Sequence, residues 1–141
     1  MVKYFYELEF MYIDVKGDNH YFHIGYFSTM QKVRDAIESV KDKPGFIDSG
    51  GHFETTKFAV VFDGEIDRKS GIVLYEASHE YLDAEGYDNF VIFGVYATRQ
   101  EAENAKTYHA MLHPYSDYPD EFCISECKVD MLGWTEGFVP W

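Results

Sequence analysis

Residues 23–37 read HIGYFSTMQKVRDAI, and residues 92–106 read IFGVYATRQEAENAK. The second stretch follows the first at a constant offset of 69 (94 − 25, from Gly94 and Gly25). Working outward without gaps, the same offset pairs Tyr6 with Tyr75, Glu7 with Glu76, Tyr12 with Tyr81, Asp14 with Asp83 and Gly17 with Gly86. It also pairs Asp48 with Asp117 and Phe53 with Phe122, and apolar residues match apolar ones in the intervals. Two unrelated halves do not agree over such a span, so the pattern predicts one supersecondary unit present twice. The period is longer than that of most solenoid repeats, which favours a pseudo-two-fold pair over an open array.

The unit itself is legible. KYFYELEFMYI and HYFHIGYF are aromatic and β-branched and flank DVKGDN, whose Gly, Asp and Asn suit a hairpin loop. VLYEASHEYL, DAEGYD and NFVIFGVY repeat the arrangement. A helix start follows each hairpin: Thr98 with Glu101 is a capping box, and Ser28 with Gln31, or Thr29 alone, serves the first half. Val33, Ala36, Ile37 and Val40 recur at helical spacing. Ala102, Ala105, His109 and Leu112 form a weaker stripe. KPGF at 43–46 and HPYSDYP at 113–119 stop the helices. HFETTKFAVVF at 52–62 and EFCISECKV at 121–129 supply a closing strand each. The expectation is an α+β fold of two β-β-α-β units, residues 1–62 and 72–141, joined by a linker at 63–71. The sheet is expected to be mainly antiparallel, with the helices on one face of a single compact domain and an aromatic tail at the C-terminus.

Composition narrows the function. Of 141 residues, 46% are apolar and 18% aromatic, which is ample for a packed core. Acidic residues outnumber basic ones by 25 to 12, for a formal charge of −13. Such a surface repels a phosphate backbone, so nucleic acid is not an expected partner. MVKYFYELEF carries Glu7 and Glu9 and lacks the uninterrupted apolar stretch of a signal peptide. No run approaches the roughly 18 apolar residues that span a bilayer. A soluble, cytoplasmic protein without membrane contact is expected. Cys123 and Cys127 stand four apart on a strand, about 13 Å, too far for a disulfide and expected to be reduced and packed.

GYFSTMQKVRDAIESVKDKPGF resembles an uncharacterised family of small bacterial domains with the run Y-S-T-x-x-x-A-x-x-A-I-x-x-L-x-x-x-P-G-F. FCISECKVDMLGWTEGF is similar to that family's ending, F-x-I-x-x-Y-x-L-D-x-x-x-W-x-E-G-F. The first half keeps Pro44, Gly45 and Phe46 but lacks the Trp ending. The second keeps Trp134 to Phe138 and has His113, Pro114 and Tyr115 in place of P-G-F. The resemblance implies the fold and no particular activity.

No catalytic set emerges, and no cofactor is expected. Glu7 and Glu76 recur at one strand position and, with Tyr6 and Tyr75, are the candidates for lining a ligand pocket between the repeats. His109 and His113 have the spacing of two helical metal ligands but lack the Glu of H-E-x-x-H, so no metal site is assigned and His109 is expected to pack. His20 and His23 point to opposite strand faces, and His79 stands where the first half has Phe10, a packing position. SGGH at 49–52 precedes a strand instead of a helix and reads as a turn. In the C-terminal WTEGFVPW, Trp134, Phe138 and Trp141 either seal the core or offer aromatic anchors to a partner. The functional expectation is a non-catalytic module that binds another protein or itself, in one version an inhibitor or immunity-type protein against a basic partner. The alternative is a small-molecule binder, with an enzyme as its further variant.

Overall fold

Alternation of aromatic and polar residues makes β1 (Val2–Ile13) and β2 (Asn19–Phe27), which pair antiparallel. The loop between them is held by Asp14, whose carboxylate accepts the amides of Lys16 and Asp18 at 2.8 and 3.0 Å. Gly17 there takes a φ of +91°, open to glycine at little cost. Helix α1 (Met30–Val40) is capped by Thr29, whose hydroxyl accepts the Lys32 amide, and it buries Val33, Ala36 and Val40. β3 (His52–Val61) completes a sheet of order β2-β1-β3.

The second half follows the same plan in this computed structural model, which describes residues 1–64, 71–134 and 136–140. β4 (Val73–Leu82), β5 (Asp88–Tyr96), α2 (Arg99–His109) and β6 (Phe122–Lys128) form an antiparallel sheet of order β5-β4-β6 with one helix. The Asp83 carboxylate accepts the Glu85 and Tyr87 amides at 2.9 and 3.0 Å, around Gly86 at φ +85°. Tyr6 pairs with Phe27 as Tyr75 pairs with Tyr96, and the ladder slips between Leu8 and Glu9 as it does between Ala77 and Ser78. Each sheet is mostly antiparallel and carries one helix, so the α+β class holds. Residues 65–70 of the expected linker lie outside the described residues.

Two features differ from expectation. The helical stripe reaches toward Leu112 in sequence, yet α2 ends at His109, where the bonds tighten to Met111 N–H on the Tyr108 carbonyl and Leu112 N–H on that of His109. His109 and His113 therefore do not share a helical face. At the N-terminus of α2, Thr98 accepts the Glu101 amide at 3.2 Å and gives its own hydroxyl proton to the Glu101 carboxylate at 3.0 Å, a local variation on the reciprocal box.

The chain divides into two compact units: Val2–Ala59 together with Val129–Trp141, and Met1 together with Val60–Lys128. The C-terminal segment follows the second sheet in sequence and completes the unit of the first. Among the described residues no helix is long and apolar enough to cross a membrane.

Candidate functional site

The first unit is built around Phe10, fully enclosed on the helix-covered face of its sheet. Its ring meets Phe46 and Phe53 edge-on, each at 4.9 Å between centroids. Leu8, Tyr12, Ile24, Phe27 and the buried face of α1 complete this core. One side of it is supplied by the C-terminal segment, which runs along the outer edge of β2. The Asp130 amide donates to the Tyr26 carbonyl at 2.8 Å, and the Gly133 amide to that of Ile24 at 2.6 Å. The backbone comes so close that a side chain at Gly25 would lie 2.8 Å from the Met131 carbonyl oxygen. Trp134 then lies on Phe22, 4.6 Å between rings. Phe138 enters a slot walled by Phe22, Tyr12 and Phe46 at 4.5, 5.1 and 5.1 Å. The Phe138 amide donates to the Pro44 carbonyl at 2.8 Å, over Gly45.

Asp130 anchors the near end of this segment. Its carboxylate accepts the Ser28 amide and hydroxyl at 2.8 and 2.7 Å and the Lys32 ammonium at 2.9 Å. Burial alone would push this carboxyl up; the Ser28 and Lys32 donors outweigh it and hold it below the ordinary aspartate value. A carboxyl lowered on folding stabilises the native state above its ordinary pKa and stops doing so as pH falls through the lower, folded-state value. Asp130→Asn keeps a side chain that tolerates φ +66° and removes the charge. It is expected to cost about 1.5 kcal/mol at pH 7. It should also flatten the fall in stability below about pH 4. Denaturation of both proteins between pH 7 and 2 checks this, and an unchanged pH dependence refutes it. Asp14, lowered first by His20, and Asp83, lowered first by the Tyr87 amide, titrate in both proteins and cancel in the comparison.

The expected ligand quartet is placed as follows. Tyr6 packs against the helix-side core, whereas Glu7, its neighbour on β1, falls on the opposite face of the strand. Tyr75 lies under Arg99, 5.5 Å from guanidinium to ring centre, and Glu76 stands between Val95 on β5 and Ser125 on β6. All four are half-buried. Of the anchor residues, Trp134 and Phe138 pack in cis as described, and Trp141 lies outside the described residues.

The histidines weighed as ligands either pack or stand beside a single carboxylate. His109 is stacked on Phe93 at 3.9 Å with its Nδ1 donating to the Ala105 carbonyl at 2.8 Å. His113 is solvent-exposed beside Asp117. His20 lies on Tyr12 and bonds Asp14 at 2.8 Å. His79 is fully buried among Tyr81, Tyr115 and Phe122, with Nε2 on the Tyr118 carbonyl at 2.9 Å and no partner for Nδ1 among the described residues. No three His, Cys, Asp or Glu side chains converge as metal ligands among the described residues. Both cysteines are free, and Cys123 is exposed on β6 where packing was expected, because its side of that strand is left uncovered at that end.

The cavities carry the remaining chemistry. In the first unit an open groove of about 350 Å³ lies beside α1, lined by Phe27, Ala36 and Leu132 with Lys32 and Asp130, whose charges already neutralise each other. In the second unit two cavities share Tyr81. One, about 180 Å³, is walled by Tyr81, Asn89, Phe90, Val91, Pro114 and Tyr115. The other, about 350 Å³, is rimmed by the carboxylates of Glu80, Asp88 and Glu121 with Leu82 and Tyr118. Burial, then Tyr118 and Asp83, push the Tyr81 phenol up, so it stays a neutral hydroxyl donor. Sequence reasoning passed over this region because its walls come from β4, β5 and the loop after α2. No family model matches the chain, and no curated protein or solved structure matches it either.

Proposed function

We propose that this protein is a non-catalytic interaction module made of one β-β-α-β unit present twice, and that it binds a basic protein. The duplication is supported by matching sheet orders, by registers displaced by the same offset, and by a ladder slip and an Asp-held turn at equivalent positions in both hairpins. The interaction reading rests on one observation above all. The first unit already receives an extended aromatic segment, using a strand edge for its backbone and a ring-lined slot for its side chain. That is the chemistry of strand addition, here performed in cis. A formal charge of −13 makes a basic partner the favoured one.

Affinity capture from a native lysate across a salt series, with the solution mass measured in parallel, tests this. The expected result is a basic protein retained at low salt and released as salt rises, since long-range attraction is screened beyond about 10 Å at 0.1 M. Recovery of no protein, together with a monomeric mass, defeats the reading.

A further inference from the structure

At the offset of 69, the slot that holds Phe138 in the first unit has a counterpart in the second. The walls Tyr12, Phe22, Gly45 and Phe46 become Tyr81, Val91, Pro114 and Tyr115, with Asn89 for His20. Those residues, together with Phe90, line the cavity of about 180 Å³. A cavity of about 150 Å³ with apolar walls accommodates a benzene ring, so this one is sized for a single aromatic side chain. The strand edge beside it corresponds too. Ile24 and Tyr26, whose carbonyls hold the C-terminal segment, become Phe93 and Val95 on β5, which has a strand partner on one side only among the described residues. The burial pattern records the difference: the last four residues of β2 are all buried, whereas those of β5 are half-exposed.

We infer that the β5 edge and the Tyr81–Val91–Tyr115 slot form a docking site for an extended segment of a partner protein, carrying a basic residue followed by an aromatic anchor. This deepens the interaction reading above and rests on it. The occupant is argued from what has changed between the two units. Ser28 and Lys32, which bind the Asp130 carboxylate, are replaced by Ala97 and Glu101, so the site that welcomed an anion now presents one. Glu80, Asp88 and Glu121 rim the cavity on the other side of Tyr81. A Lys or Arg is attracted here and an Asp repelled. The C-terminal segment of a second copy would bring its Asp130 carboxylate against Glu101 in place of Lys32, which opposes its docking, and it would in any case leave its own slot empty. A foreign basic strand fits both the edge and the charge.

The test uses the 141-residue chain and three fluorescently labelled peptides: Lys-Val-Lys-Val-Lys-Phe, the same with Ala in place of Phe, and the same with Glu in place of each Lys. Anisotropy at low salt should show the Lys–Phe peptide binding at least tenfold tighter than either control. Glu101→Lys, at an exposed position, should weaken it about fivefold. Val91→Gln, which puts a longer polar side chain in the slot, should reduce it to the level of the Ala control. Lysine peptides that bind equally with Phe or Ala reveal only diffuse attraction to an acidic surface and overturn the proposal. So does binding unaffected by both substitutions, which would mark displacement of the chain's own C-terminal segment. If the peptides fail while lysate capture succeeds at low salt, partner binding stands and this site falls.

Discussion

A chain ended at Lys128 is expected to lose about 5 kcal/mol or more from the stability of its first unit. Three contributions are removed together. Phe138 leaves the slot walled by Phe22, Tyr12 and Phe46, a burial worth about 2–3 kcal/mol. Asp130 takes with it three hydrogen bonds to a carboxylate, worth about 1.5–3 kcal/mol as a set. The carbonyls of Ile24 and Tyr26 lose their amide partners, and Phe22 and Tyr12 are bared. Small domains hold only about 5–15 kcal/mol in total, so the truncated unit should be partly unfolded at room temperature. Phe138→Ala alone should cost about 3 kcal/mol. Chemical denaturation followed by hydrogen exchange at the β2 amides measures both, and an unchanged midpoint in the truncated chain would show that the segment merely rests on the surface.

Gly45→Val is the second large effect. Gly45 and Gly17 have nearly the same φ, +88° and +91°, so a side chain at either incurs the left-handed penalty of about 1–2 kcal/mol. They differ in surroundings. A Cβ at Gly17 meets nothing within 4 Å, whereas at Gly45 it meets the Phe138 carbonyl and ring. Gly17→Val should stop at the backbone cost. Gly45→Val should add the loss of the Phe138 seat, for about 4 kcal/mol in all. In the chain ended at Lys128 that surplus has nothing to act on, so the two glycine substitutions should cost the same there. Equal costs in the full-length chain would mean that Phe138 moves aside freely.

Much of the architecture was readable because it is local. Hairpins flanking an Asp-Gly loop, a Thr cap and a stripe at Val33, Ala36 and Val40 each depend on residues a few positions apart. The residue matches at the offset of 69 extended these readings to the second half, where α2 is weakly amphipathic and buries only Ala102. What resisted was the seat of the C-terminal segment. Ser28 lies 102 positions from Asp130, and no periodicity connects them. The clue lay in the mismatches between the two halves at the offset of 69. Gly45 against Pro114, Ser28 against Ala97 and Lys32 against Glu101 are the places where one unit meets the segment and the other does not. Ser28 was weighed as a helix cap, whereas its hydroxyl is committed to Asp130 and Thr29 caps alone. The candidate site stayed hidden for a related reason. Its walls are drawn from ordinary core positions, and their significance appears only once Phe138 shows what such walls hold.

The separation of 102 residues between Ser28 and Asp130 also orders events in time. A ribosome delivers β1, β2 and α1 early, but the piece that closes over them emerges about a hundred residues later. The half born first thus cannot be finished at once, and must wait, with its phenylalanines partly bare, until the second hairpin has been threaded out. A message cut short would leave that half permanently open, a sticky target for chaperones and proteases.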